Sequence, residues 1–185
     1  METKEIEVRF LEIDKEDLVK KLLALGAKDL GEVMLEEVIF YDQECKWRDE
    51  NKFIRLRKSG EKIKITYKQN REQKIDSAVE IEFEVSDMKK AEALLEKTGL
   101  IGYRHQQKLR HIFELGDVTI DIDTWPRVPP YVELEGPSEE AIKETAQKLG
   151  LNWADVVLED AGYVLDRKYG IPVTNMRWFT FDRFE

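Results

Sequence analysis

Several features that mark common protein classes are scarce in this sequence. Among 185 residues there is one cysteine, Cys45, so no internal disulfide can form and a reducing, cytoplasmic location is expected. The N-terminal stretch "METKEIEV" lacks a signal-peptide core, and no apolar run approaches the length of a membrane span, so no membrane association is expected. A formal net charge of -9 leaves no basic excess for nucleic-acid phosphates, which argues against general nucleic-acid binding.

The residues that are abundant are typical of one globular domain across 1–185. The composition is 42% hydrophobic and 37% charged, which is not that of a disordered chain. Within it, the alternation "EIEVRF" at 5–10 returns as "EIEFEV" at 80–85. Each stretch alternates charge and hydrocarbon as a half-buried strand does, and a helical pattern follows each one. The predicted N-caps and C-terminal glycines of the two helices are Asp14, Ser86, Gly26 and Gly99.

Three more strand-like stretches follow each helix, so the pattern β-α-β-β-β occurs twice. No flexible linker separates the repeats, and we interpret them as two halves of one fold. The sequence predicts an α+β fold, an eight-stranded antiparallel β-barrel or tunnel with the helices packed outside. The tunnel strands fall within 1–136, and C-terminal helices with a tail occupy 137–185. The remaining predicted strands are 36–43, 52–58, 62–69, 103–115, 117–124 and 131–136, and the predicted C-terminal helices are 138–149 and 152–168.

Charged residues recur at every second position on nearly all of these strands. On a single strand, this pattern is typical of the solvated face of an antiparallel sheet. Across eight strands, the helices need the apolar face, so closure of the sheet would enclose the charged face instead. Enclosed carboxylates favour hard divalent cations, and enclosed Arg and Lys favour a polyanion. The pattern therefore indicates a metal-bound polyphosphate, and a solvated sheet face remains the alternative.

The ordered motifs resemble those of the CYTH, or triphosphate tunnel metalloenzyme, superfamily. That superfamily includes class IV adenylate cyclases, thiamine triphosphatases and inorganic triphosphatases. The stretch "EIEVR" resembles its N-terminal ExExK strand, with Arg9 in place of the lysine. The likeness continues through "IRLR", "ITYK", "EIEFE", "KLR", "DID" and "VELEG", and covers residues 1 to about 136. It implies a tunnel, open at both ends, that binds a triphosphate with Mg2+ or Mn2+.

The resemblance also implies a role for each charged strand residue. The expected metal-facing carboxylates are Glu5, Glu7, Asp121, Asp123, Glu133 and Glu135. The expected phosphate-binding residues are Arg9, Arg55, Arg57, Lys68, Lys108 and Arg110. Glu80 and Glu82 are expected in the tunnel beside the substrate, where they orient basic side chains. The residues expected to be catalytic are Glu5, Glu7, Arg9, Arg57 and Lys68. Because "TWPRVPPY" departs from the turn of the family, the choice between Asp121 and Asp123 is open, and Asp123 is favoured.

The resemblance allows two reactions on one scaffold. In a hydrolase, water attacks the terminal phosphorus; in a cyclase, the ribose 3′-hydroxyl attacks the α-phosphorus of ATP. The sequence shows no dedicated base pocket, which favours a metal-dependent triphosphate hydrolase. A class IV type adenylate cyclase and a non-catalytic polyphosphate or nucleotide-binding module are the alternatives. Arg71 or Lys74 could close over the substrate, and the aromatic tail "MRWFTFDRFE" is expected to pack on its own domain or on a partner in a homodimer.

Overall fold

A curled antiparallel sheet organises the protein, whose computed structural model describes residues 6–70 and 78–185. Its strands are β1 (Glu7–Phe10), β2 (Lys28–Asp42), β3 (Lys52–Ser59), β4 (Lys62–Asn70), β5 (Ala78–Glu84), β6 (Leu100–Leu115), β7 (Val118–Thr124) and β8 (Tyr131–Glu135). They lie in the order β1-β8-β7-β6-β2-β3-β4-β5, and each neighbouring pair is antiparallel. Within the described residues no register joins β1 to β5, so these strands are the two edges. The predicted α+β fold with eight antiparallel strands is confirmed.

Five helices occur in the described residues: α1 (Lys15–Ala24), α2 (Lys46–Asp49), α3 (Met88–Lys97), α4 (Glu139–Leu149) and α5 (Ala161–Tyr169). The carboxylate of Asp14 accepts a hydrogen bond from the backbone N–H of Asp17 at 3.0 Å, which confirms the predicted N-cap of α1. The prediction of Ser86 as the cap of α3 is wrong. The side chain of Asp87 caps that helix, accepting from the N–H of Lys90 at 3.0 Å. None of these helices has the length and apolar character needed to cross a membrane.

The helices cover the apolar face of the sheet. Leu22 of α1 and Ile142 of α4 are fully buried in one cluster with Ile120 of β7 and Leu134 of β8. On the other half of the sheet, Leu95 of α3 packs with side chains of β2 and β3. Burying each such side chain stabilises the fold by about 1.5–3 kcal/mol. Because side chains alternate along a strand, this packing leaves the charged positions on the uncovered inner face.

The region after α4 departs from the predicted helix 152–168. A short 3-10 turn occupies Trp153–Asp155, and Val157 then pairs with Arg9 through backbone hydrogen bonds of 3.0 and 2.9 Å. The β-branched side chain of Val157 suits this extended backbone. The helix α5 consequently begins only at Ala161.

Two strand features are absent from the predicted pattern. Strand β2 begins at Lys28 rather than at 36, because β6 pairs with it along its whole length. A ninth strand, β9 (Trp178–Phe179), runs parallel to β6 beside His105 and Gln106. Both depend on partners that are distant in sequence, so local alternation gives no signal for them.

Candidate active site

The inner face of the sheet borders a cavity with about 180 Å³ open to water. Strands β1 to β4 and β6 to β8 form most of its wall, and α5 and a 3-10 turn at Val173–Asn175 complete it. Many charged positions of the alternating strands therefore face an enclosed space. The predicted site residues that line it are Glu7, Arg9, Arg55, Arg57, Lys68, Lys108, Arg110, Asp121, Glu133 and Glu135.

Among the candidates that the structure describes, Glu80, Glu82 and Asp123 do not line this cavity. Glu80 is buried, and its carboxylate lies 3.3 Å from Nζ of Lys68, as expected of a residue that orients a basic side chain. Glu82 instead accepts a hydrogen bond from Lys64 at 2.5 Å, away from the cavity lining. Asp123 lies behind the lining and is described below. Three candidates lie outside the described residues: Glu5, Arg71 and Lys74.

At one end of the cavity, Arg110 binds three carboxylates. Its Nε and Nη2 each donate to Asp123 at 2.7 Å, and Nη2 also donates to Glu133 at 2.6 Å. Its Nη1 donates to Asp121. The strand register brings these groups together, because Asp123 on β7 faces Arg110 on β6 while Asp121 faces Glu133 on β8. Although burial opposes a charge here, the carboxylates raise the pKa of Arg110 well above its usual range.

Arg9 connects the same end of the cavity to the C-terminal region. It is 6% exposed, and its Nε donates to Glu133 at 2.7 Å while Nη2 donates to Glu7. Its Nη1 donates to the backbone carbonyl of Glu159 at 2.8 Å. A guanidinium offers five N–H donors in fixed directions, so this one side chain holds two carboxylates and a loop.

Asp121 and Asp123 occupy different environments. Burial raises the pKa of Asp121 to about 6, against the pull of Arg110 and with the help of the neighbouring carboxylates. One oxygen of Asp121, Oδ1, is buried without a hydrogen-bond partner, whereas Asp123 is fully buried and accepts from Lys108 at 2.5 Å. Asp121 therefore lines the cavity, whereas Asp123, which the sequence favoured as the metal-facing carboxylate, lies outside its lining.

The cationic wall of the cavity lies on β3, β4 and β6. Nε of Arg57 donates to Glu37 at 2.5 Å, and Nη2 of Arg55 lies 3.8 Å from Glu80. Lys108 is 4% exposed, and its ammonium lies 5.0 Å from the ring centroid of Trp125. Burial lowers the pKa of Lys108, and the positive charge of Arg110 adds to that effect.

Sequence reasoning missed three buried polar residues of this wall: Glu37, Arg104 and Gln106. Burial disfavours a charge on Glu37, but Arg57 and Arg55 hold its pKa well below the usual range. Part of the signal was present, because Glu37 and Ile39 are two positions apart and so share one face of β2, whereas Val38 between them lies on the other face. The adjacent Glu36 obscured the pattern, because Glu36 and Glu37 place one carboxylate on each face of the strand.

Apolar side chains also line the cavity. They are Ile39, Tyr41, Phe53 and Val173. Cationic residues lie beside them, since Phe53 pairs with Lys68 in the strand register and Ile39 pairs with Arg55. An apolar wall next to a cationic one can hold an organic group joined to phosphates.

The acidic end has the donor chemistry of a divalent-cation site. Mg2+ and Mn2+ prefer carboxylate oxygens, and Asp121 carries a buried oxygen without a partner. Among the described residues no three acidic, histidine or cysteine side chains already converge as a metal cluster. Arg9 and Arg110 account for this, because they bind the carboxylates of Glu7, Asp121 and Glu133. The residues fit a divalent cation once an anion takes over the two guanidinium groups.

Comparisons with known proteins show the family of the chain. A family model described as the CYTH domain matches residues 3–158. A Methanocaldococcus jannaschii protein named as a candidate adenylate cyclase is 26% identical over 132 residues, which cover 71% of this chain and 75% of that protein. The PH1012 protein of Pyrococcus horikoshii has a solved structure with 29% identity and a TM-score of 0.72, covering 84% of this chain and 96% of that chain.

A more distant solved structure shares the fold. It is a candidate adenylyl cyclase from Hippeastrum, described as having a dominant triphosphatase activity. Its identity is 14% and its TM-score 0.63, with 90% of this chain and 96% of that chain covered. Because the family model spans most of the chain, the protein belongs to the CYTH domain family.

Proposed function

We propose that this protein hydrolyses a triphosphate with the help of Mg2+ or Mn2+. The observation that carries the proposal is the division of one cavity wall into a cationic part and an acidic part. A cationic part alone would suit any polyanion, and an acidic part alone would suit a free cation. The two together suit a polyanion that carries its own divalent cation.

The cationic residues bind the phosphate oxygens in this proposal: Arg9, Arg55, Arg57, Lys68, Lys108 and Arg110. Each of them has a carboxylate within 4.0 Å in the structure. A bound triphosphate would replace several of these carboxylates, and Arg side chains offer two-pronged donation to phosphate. The carboxylates released in this way would be buried and unpaired, which is costly unless a cation compensates them. This exchange gives a physical reason for the two sets to share one cavity.

The carboxylates that would hold the cation are Glu7, Asp121, Glu133 and Glu135, with Glu5 added from the sequence resemblance. Such a cation supplies neutralising charge to the phosphates and lowers the pKa of a bound water. Arg9 and Arg110 both donate to Glu133, so these two phosphate-binding residues also contact the acidic set.

The reaction requires positioning and charge neutralisation rather than a protein nucleophile. Water attacks the terminal phosphorus, its oxygen forms the new P–O bond, and the bond to the bridging oxygen breaks. Phosphate and the shortened diphosphate leave, and the proton of the water passes to the released phosphate groups or to solvent. Arg57, Lys68 and Arg110 hold the oxygens on either side of that bond. Removing one such preorganised donor costs about 3–4 kcal/mol of transition-state stabilisation.

An adenylate cyclase is the second candidate function. The side chains of Tyr41 and Phe53 in the cavity lining offer an apolar surface for the organic part of a nucleotide. The Methanocaldococcus jannaschii relative carries a cyclase name. In that reaction the ribose 3′-hydroxyl attacks the α-phosphorus of ATP and pyrophosphate leaves. A non-catalytic polyphosphate receptor is a third alternative, but a pure anion receptor has no need of the acidic part.

The test is a panel of tripolyphosphate, thiamine triphosphate and ATP, each with Mg2+ or Mn2+. Phosphate, pyrophosphate and cyclic AMP are measured as products. We expect metal-dependent phosphate release. Cyclic AMP from ATP would replace the hydrolase with the cyclase, and tight metal-dependent binding without any product would favour the receptor.

Two substitutions test the assigned roles. Glu7→Gln and Arg57→Ala should each lower kcat/KM at least about 100-fold, because the first removes a carboxylate that would hold the cation and the second removes a donor to a phosphate oxygen. The matched control is Lys58→Ala, since Lys58 follows Arg57 on β3 but is exposed and pairs with Glu36 at 3.4 Å. Circular dichroism and urea unfolding check that each variant folds. Wild-type rates in Glu7→Gln or Arg57→Ala would refute the role given to that residue.

A further inference from the structure

A chain of buried hydrogen bonds connects Arg57 to the C-terminal region. Nε of Arg57 donates to Oε1 of Glu37 at 2.5 Å, and the amide of Gln106 donates to Oε2 of the same carboxylate. The carbonyl oxygen of Gln106 accepts from Nε of Arg104 at 2.7 Å. Nη1 of Arg104 in turn donates to the backbone carbonyl of Val173 at 3.0 Å. The chain therefore runs from the cationic wall through β2 and β6 to the 3-10 turn.

Burial makes this chain rigid. Glu37 is 3% exposed, Arg104 is 7% exposed and Gln106 is 8% exposed, so bulk water competes little for their hydrogen bonds. Each oxygen of Glu37 has its own donor, which leaves the carboxylate one favourable orientation. The strand register reinforces this, because Glu37 faces Arg57 on one side and Gln106 on the other.

We propose that Glu37 is a positioning residue that holds the guanidinium of Arg57 in the orientation that meets a phosphate oxygen, and that Gln106 and Arg104 hold Glu37 in place. The inference rests on the proposed function, because it takes Arg57 as a phosphate-binding group. Glu37 acts through Arg57 rather than on the reacting atoms. A side chain that a neighbour already holds in its working orientation loses less entropy when it binds the phosphate. The neighbour therefore affects the rate without touching the substrate.

The neighbouring carboxylate supplies a control. Glu36 precedes Glu37 on β2, but its side chain is on the outer face, exposed, and 3.4 Å from the exposed Lys58. Glu36→Gln and Glu37→Gln therefore remove the same charge from adjacent positions of one strand. They differ in whether the carboxylate contacts Arg57.

The experiment measures steady-state kinetics of the full chain with tripolyphosphate and Mg2+. Glu37→Gln should lower kcat roughly tenfold and change KM by less than about threefold, because the charge of Arg57 remains while its orientation is lost. Gln106→Met should lower kcat about threefold, since it removes only the support of Glu37. This second variant keeps the Glu37–Arg57 ion pair and serves if Glu37→Gln does not fold. Glu36→Gln should retain the wild-type kcat.

A double substitution separates positioning from a general effect on the fold. With Lys at position 57 there is no planar fork to orient, so Arg57→Lys with Glu37→Gln should be less than about threefold slower than Arg57→Lys alone. Any of three results would overturn the inference. The first is a tenfold loss from Glu37→Gln with either Arg or Lys at position 57. The others are a change in KM alone, and wild-type kcat in both Glu37→Gln and Gln106→Met. A wild-type protein that neither binds nor hydrolyses any triphosphate would instead overturn the proposed function, and the inference with it.

Discussion

At the scale of single residues, charged side chains of the cavity form buried ion pairs. Arg9, Arg110 and Glu133 are each at most slightly exposed and hydrogen-bonded to one another in a connected network. Removing one member of a buried ion pair leaves the other uncompensated and costs about 3–5 kcal/mol. Charged substitutions in the cavity therefore affect both stability and binding, and controls from the outer face of the same strands are needed to separate the two.

The acid dependence of stability should report the environment of Glu37. Burial opposes its charge, but Arg57 and Arg55 hold its pKa in the folded protein below the ordinary value of 4.5. As the pH falls below that value, the unfolded chain takes up a proton that the folded protein refuses, so the free energy of unfolding falls. Glu37→Gln lacks this carboxylate. Its free energy of unfolding should therefore fall less steeply with decreasing pH, by up to about 1.4 kcal/mol per pH unit.

Urea unfolding at a series of pH values between neutrality and the acid transition measures that slope. Glu36→Gln removes a carboxylate from the outer face of the same strand and is the matched control. Equal slopes in the wild-type protein and Glu37→Gln would contradict the assigned environment.

At the scale of elements, local signals account for three of the helices. In α1, α3 and α4 an apolar stripe follows a side chain that caps the first turn, and both features are visible in the sequence. The helix α5 also has a cap, Asp160, but its start depends on the extended pairing of Val157 with Arg9. That pairing joins segments far apart in the chain and has no local signature.

The cap of α3 gives a stability prediction. Asp87→Ala should lower the free energy of unfolding by about 1 kcal/mol, because the carboxylate satisfies the backbone N–H of Lys90. Ser86→Ala should change it by less than about 0.5 kcal/mol, since Ser86 precedes the cap. Urea unfolding of the two variants measures the difference. A larger loss in Ser86→Ala than in Asp87→Ala would contradict the observed cap.

At the scale of the whole molecule, the C-terminal region completes the site. The backbone carbonyls of Glu159 and Val173 accept hydrogen bonds from Arg9 and Arg104, and both carbonyls lie beyond the family match at 3–158. The aromatic tail packs on its own domain, where Phe179 stacks on Trp125 with ring centroids 5.4 Å apart. The tail thus stabilises the part of the wall that Trp125 shares with Lys108.

Two phenylalanines of the tail test this packing. Phe179 is fully buried, so Phe179→Ala should lower the free energy of unfolding by about 3–5 kcal/mol. Phe181, two residues on, is 45% exposed, and Phe181→Ala should cost less than about 0.5 kcal/mol. Thermal or urea unfolding compares them. Similar small losses in both variants would mean that the tail is not part of the cooperative fold.

The sequence by itself determined the features that repeat locally. The two-residue alternation of β1, β3, β4, β6, β7 and β8 identified most of the charged residues that line the cavity, and the order of the motifs identified the family. Caps and apolar stripes identified the helices on the outer face. All of these depend on neighbours within a few residues.

Only the tertiary structure decided which charges meet. Strand register and burial decide that Asp121 rather than Asp123 lines the cavity and that Glu37 contacts Arg57. The extended segment at Val157, predicted as helix, depends on a distant partner strand. The physical reason is that alternation assigns a residue to a face of the sheet, whereas pairing energy and desolvation arise between strands that are far apart along the chain.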